Sequence, residues 1–207
     1  MLMKTGKSKG DTIVEVMFAI TIFSLVIVSS LAIMNQGTYT AQRSLEISLV
    51  RSQMDAQAET LRFLNSSYIT AYNNESATYG NDTPAQQWKL IQDKIKNIEQ
   101  VSQFGNVSTC PEPDDSTSFI LDVKNAKFIS GKLNKANTFS RIIYDNNDVL
   151  TRAEGIWIEA VRSNNANDIN QNNSGYIDFH IRACWDSPGQ VMPVTLGTIV
   201  RLYEPRG

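Results

Sequence analysis

Residues 16–34 form a largely apolar run with no charged residue, and a single carboxylate, Glu15, stands immediately before it. As a helix the run would rise roughly 28 Å, close to the hydrocarbon thickness of a bilayer. A lone carboxylate at the edge of such a segment costs about 2.5–3.5 kcal/mol on insertion scales, so Glu15 needs a partner or a purpose.

Three readings of the N-terminus compete. Lys4, Lys7 and Lys9 could be the basic region of a secretory signal cut near Ser30-Leu31-Ala32. Against that, the apolar run exceeds the ~7–15 residues of a usual signal core. The same lysines suit a permanent anchor whose N-terminus stays in the cytoplasm by the positive-inside rule. Here Thr12-Ile13-Val14-Glu15 reads as a capping box, with Glu15 reaching back to the Thr12 amide. In the third reading the chain is cut after Gly10 and begins at Asp11.

That third reading rests on a family resemblance. Gly10-Asp11-Thr12-Ile13-Val14-Glu15-Val16 resembles the class III signal of type IV pilins and pseudopilins. The resemblance implies that a prepilin peptidase cuts between Gly10 and Asp11 on the cytoplasmic side and leaves the apolar helix attached. It also implies that Glu15, fifth from Asp11, is the assembly residue and meets the new α-amino group of Asp11 on a neighbouring subunit. A carboxylate and an ammonium buried singly are each costly, whereas together they compensate in part. Asp11 stands where the family usually carries an N-methylated phenylalanine, and Ala32 where many members have a helix-kinking proline.

Losing the three lysines of residues 1–10 takes the formal charge from −2 to −5, which disfavours general nucleic-acid binding. Beyond the leader and apolar helix 173 residues remain, enough for one exported domain with its own core. Cys110 and Cys184, the two cysteines of the chain, suit a disulfide outside the cytoplasm. Two unpaired buried thiols are the other reading; one histidine and no CxxC spacing serve a metal poorly. A bridge would close a loop of roughly 75 residues, contributing about 4 kcal/mol in the chain-entropy description. Pilins often staple their C-terminal region in this way, so the resemblance implies the bridged form.

Past Met34 the helical pattern continues. Ile47, Val50, Met54, Leu61, Leu64 and Tyr68 fall on one stripe, with Ala58 in the gap, and Arg43, Glu46, Gln53, Glu59 and Arg62 on the opposite side. Gly37 is a place where a bend is cheap. Thr83-Pro84-Ala85-Gln86 then reads as a helix start, with Thr83 as cap and Gln86 reaching back. Trp88, Ile91, Ile95 and Ile98 form its apolar face, and Phe104-Gly105 would end it. Period-two alternation predicts strands over 117–123, 127–130, 138–144, 155–162, 175–185 and 194–203. Their short connectors argue for one antiparallel sheet whose apolar face packs on the long helix.

Among polar residues no enzymatic constellation emerges, and the chain reads as a non-enzyme without cofactor or metal. His180 shares a strand face with Asp178 and Arg182, which reads as a surface pair or triplet. Asp145-Asn146-Asn147-Asp148 and the loop 163–174 carry oxygen ligands without the EF-hand order, and read as turn and loop. Lys124, Lys127, Lys132, Lys135 and Arg141 form a basic cluster that could meet nucleic-acid phosphates. With few aromatic partners nearby it reads better as a solvated hairpin.

The expected fold is α+β and pilin-like, a long N-terminal helix packed by its amphipathic half on an antiparallel sheet. Residues 1–10 would be the leader, 11–34 the transmembrane and assembly helix, and 35–207 the extracytoplasmic domain. The resemblance implies a subunit, N-terminus in the cytoplasm, that polymerises into a pilus or pseudopilus for adhesion, motility, DNA uptake or secretion. Its partners would be the peptidase, other pilin subunits with their assembly machinery, and membrane lipid before assembly. The alternative is a non-polymerising, single-pass anchored extracellular binding domain.

Overall fold

The computed structural model describes residues 11–73, 82–96, 98, 100–101, 108–162 and 175–204. The chain divides into two compact units, Met1–Ser44 and Leu45–Gly207, and helix α1 (Asp11–Asn73) contributes to both. Over residues 16–34 of the first unit its large apolar side chains are exposed. Thr21, Ser29, Thr38 and Thr40 turn their hydroxyls back onto the carbonyls of Phe18, Leu25, Met34 and Gln36, at 2.8–3.0 Å. Such back-bonding lets a hydroxyl satisfy itself without water. Gly37, expected as a weak point, is helical.

In the second unit α1 becomes one-sided, as the stripe predicts. Val50, Met54, Ala58, Leu61 and Leu64 are buried, and Ile47 and Tyr68 pack against them in part. Each fully buried aliphatic side chain on this line contributes about 1.5–3 kcal/mol. Helix α2 (Pro84–Ile95) begins on Thr83, whose hydroxyl accepts from the Gln86 amide at 3.3 Å. It buries Trp88, Ile91 and Ile95. The helix stops earlier than the sequence suggests: the Ile98 amide bonds the Ile95 carbonyl at 3.1 Å, closing a turn. Phe104-Gly105 lies outside the described residues.

Strands β1 (Ser118–Asp122), β2 (Lys127–Ile129), β6 (Ile156–Arg162), β7 (Tyr176–Trp185) and β8 (Val194–Tyr203) form an antiparallel sheet in the order β2-β1-β6-β7-β8. The inward residues Ile177, Phe179, Ile181, Ala183 and Trp185 of β7 are all fully buried, as the alternation requires. Phe179 meets Trp88 of α2 at 5.6 Å and Phe119 of β1 edge-on at 6.5 Å.

The single sheet expected is in fact two. A second, three-stranded sheet has the order β3-β5-β4. Its strands are β3 (Leu133–Asn134), β4 (Arg141–Tyr144) and β5 (Leu150–Glu154), with β3 parallel to β5. Neither β3 nor β5 has a readable signal: β3 is two residues long, and β5 alternates imperfectly because Thr151 and Arg152 both face out. The chain changes sheets at Gly155, whose φ of +64° is left-handed. Its carbonyl accepts from the Cys184 amide at 2.8 Å and from the Ser140 hydroxyl at 2.8 Å.

Side-chain amides complete backbone pairing that strands leave open. β1 pairs with β6 only at Ser118 and Phe119. Further along, Gln57 of α1 takes the place of a strand residue, accepting from the Leu121 amide at 2.9 Å and donating to its carbonyl at 2.8 Å. Gln53 accepts from the Ile142 amide and Gln87 of α2 from the Phe128 amide, both at 2.9 Å. Gln53 and Glu46, assigned by sequence to the outer side of α1, therefore face the domain. Glu46 is buried, accepting from the Trp185 indole at 3.1 Å and the Ser187 hydroxyl at 2.9 Å.

Replacing Gln57 with Leu should leave two buried backbone groups unpaired and cost about 2–4 kcal/mol. Replacing exposed Asp55 with Ala should stay within about 0.5 kcal/mol. Denaturant titration of the detergent-solubilised protein measures both. A Cβ at Gly155 would stand 2.5 Å from the Cys184 carbonyl oxygen and 2.6 Å from the Ala136 Cβ. Gly155→Ala should therefore cost about 3 kcal/mol or more, read as a fall in Tm.

Candidate anchoring and assembly segment

The segment singled out by sequence lies at the start of α1. Gly10 is outside the described residues. Asp11 and Thr12 are already helical, so Thr12 lies within the helix rather than at its cap. Glu15 is exposed, flanked by Val14 and Val16 at 55% and 56% exposure. Among the large apolar side chains that follow, Leu25 and Ile33 reach 69% and 71%. A continuous exposed apolar surface of this kind marks a membrane or protein contact. The helix is long and apolar enough to cross a membrane. No Lys or Arg occurs between Asp11 and Arg43, so α1 itself offers Glu15 no basic side chain within this stretch.

In the second unit, Cys110 and Cys184 are joined as a disulfide with Cα atoms 5.6 Å apart. The bridge ties the segment ahead of β1 to the end of β7, beside Gly155. Both sulfur-bearing residues are buried.

The face of β7 carrying His180 is organised across strands rather than along one. Asp178 binds Arg201 of β8 through two bonds of 2.7 and 2.8 Å. Arg201 lies 3.9 Å over the Tyr176 ring, which meets Tyr203 at 6.3 Å. Arg182 faces Glu159 of β6 at 3.6 Å, and Glu159 also accepts from the Trp157 indole at 2.9 Å. The expected Asp178, His180 and Arg182 triplet is thus split between two ion pairs. Opposite charges at register positions 178 and 201 are the signal that would reveal it, and register is invisible before the sheet is built. Arg201 holds the Asp178 carboxyl below its ordinary value. Burial, then the like charge of Arg182, lowers His180, against the opposing pull of Asp178 and Glu159.

Other candidates are satisfied locally. Asp145 accepts from the amides of Asn147 and Val149 at 2.8 and 2.9 Å, as a turn; the loop 163–174 lies outside the described residues. Within the basic cluster Lys124 pairs with Asp148, Lys127 with Asp82 at 2.6 Å, and Arg141 with Glu154 at 3.1 Å. Lys132 donates to the Leu150 carbonyl at 2.6 Å. A cavity of about 300 Å³ is lined in part by Pro111, Asp114, Trp157 and Glu159. Its Asp114 carboxylate is held by the amide and hydroxyl of Ser116, at 2.8 and 2.7 Å. Among the described residues no group of His, Cys, Asp or Glu is placed to hold a metal ion.

Compared with protein-family models, with curated proteins and with solved structures, the chain finds no match in any of the three.

The lowered His180 gives a signed prediction. Its unfolded form takes up a proton near 6.5 while the folded form resists, so its contribution is full above that value and is lost as pH falls from it through the lower folded value. Wild type should lose Tm over this window, and His180→Gln should lose less. Thermal melts across the pH range measure the difference.

Proposed function

We propose that this chain is a type IV pilin-like subunit, cut after Gly10 by a prepilin peptidase, anchored by its apolar helix, and polymerised into a pilus or pseudopilus. The observation that carries the reading is the N-terminal helix. It is apolar and exposed on all sides, and its one acid within the apolar part, Glu15, is fifth from the glycine-defined cut. The helix leads covalently into an α+β unit closed by a disulfide, which suits a domain outside the cytoplasm.

The chemistry of such assembly follows from the charges. A cut between Gly10 and Asp11 creates an α-amino group where α1 supplies no nearby basic side chain. In an apolar filament core that ammonium and Glu15 of a neighbouring subunit each offset part of the other's cost of burial. Asp11 adds a second carboxylate beside the pair, so this chain's contact holds two acids and one amine. The protein acts in this reading by polymerising, with no substrate to turn over. Its partners are the peptidase, other subunits and the assembly machinery, with lipid around the helix beforehand. Before assembly the N-terminus lies in the cytoplasm and the folded unit across the membrane.

Glu15→Ala should still insert and be cut, while its incorporation into sheared surface filaments falls by about tenfold or more, since the ammonium would lose its partner across the subunit contact. Immunoblots of sheared and membrane fractions measure it. Unchanged incorporation would remove Glu15 from this role. Absence of wild-type filaments would favour the anchored, non-polymerising domain.

A further inference from the structure

The closed end of the β7–β8 hairpin lies at the end of the folded unit through which α1 enters. Two contacts fix this. Asn65 of α1 donates to the Tyr203 carbonyl at 3.3 Å, at the open end of the hairpin, where Tyr203 is paired with Tyr176. Glu46, second residue of the unit, holds Trp185 and Ser187 at the closed end, where Trp185 is paired with Val194. The hairpin therefore runs antiparallel to α1, and its loop, residues 186–193, points toward the side on which residue 44 joins the unit.

Asp186, Ser187, Pro188 and Gly189 are ordinary turn residues, and the two apolar side chains that follow Gln190 depart from them. Val191 is 99% exposed and Met192 61% exposed. The loop is also shaped rather than slack: Ser187 is pinned to Glu46, the Gln190 amide bonds the Ser187 carbonyl at 3.3 Å, and Gly189 takes φ +76°. Asp186, at the start of the loop, is its only ionisable residue, so residues 187–193 carry no charge that must be stripped of water. Ten residues, 35–44, separate Met34 from Leu45, where the folded unit begins, so the covalent tether to the apolar segment is short.

From this placement we infer that Val191 and Met192 form a lipid-contacting tip, seated in the interfacial layer of the bilayer that anchors the chain. The inference rests on the anchoring part of the proposed function. Two side chains fall far short of the surface that a stable protein–protein contact buries, about 800 Å² per partner. A lipid contact needs no independent affinity, because the covalent anchor already supplies the proximity. Before assembly, the tip would fix which way the folded unit leans on the membrane.

Tryptophan placed at the tip reads this directly, because Trp88, Trp157 and Trp185 are all buried and give a steady background. The full chain would be reconstituted in phosphatidylethanolamine–phosphatidylglycerol vesicles with plain or brominated acyl chains. Val191→Trp and Met192→Trp should each lose about half of their added emission to bromine, since interfacial side chains sit ~5–10 Å into the headgroup–acyl boundary. Tyr203→Trp, at the other end of the hairpin, should lose none. Chain that floats with the vesicles but shows no tip quenching overturns the inference and leaves the anchor standing. Chain that does not float overturns both. A blue shift that grows with the protein-to-lipid ratio and ignores bromine assigns the tip to a second copy, and overturns it too.

Discussion

One helix here meets two kinds of surroundings, and the rest of the molecule is arranged around that demand. Through residues 13–34 of α1 the apolar side chains are exposed on every side, which in water would be a severe cost. From Glu46 onward the same helix is buried along one face only. The first part needs a medium that removes its surface from water. The second needs a domain that covers a single stripe. Hydroxyls that bond back to their own helix serve the first requirement, and glutamines that reach out to strands serve the second.

The outward reach of those glutamines decides how two sheets can share one helix. A strand that leaves its neighbour exposes amides and carbonyls that a dry core cannot tolerate. Gln57, Gln53 and Gln87 supply the missing partners at three separate strands. Gly155 makes the change of sheet sterically feasible, and the Cys110–Cys184 bridge closes beside it. Helix, sheet switch and disulfide thus act at neighbouring points of one core rather than as independent supports.

Much of this was legible in the sequence where periodicity was strong. The buried line Val50, Met54, Ala58, Leu61 and Leu64 and the full span of β8 follow from spacing alone. What stayed hidden depended on partners distant in the chain. Glu46 looks solvent-facing until Trp185 and Ser187 arrive beside it. β5 looks like loop because its exposed pair, Thr151 and Arg152, breaks the alternation. Asp178 looks like a partner for His180 until register sets it opposite Arg201. At the candidate site the residues themselves, Gly10, Asp11 and Glu15, were legible as a pattern. The chemistry proposed for them belongs to a cut and to a neighbour, and neither exists within one intact chain.

The proposed pilin-like reading joins these parts: an apolar helix removed from water first by lipid and then by other copies, carrying a bridged domain outside the cytoplasm. Its first chemical event is the cut that turns Asp11 into an N-terminus, and without that cut Glu15 has no ammonium to meet. Mass spectrometry of the membrane-extracted protein tests it most directly. The expected result is a mature chain that starts at Asp11 and retains the apolar helix. A chain that still starts at Met1, or one cut near Ala32, would contradict it.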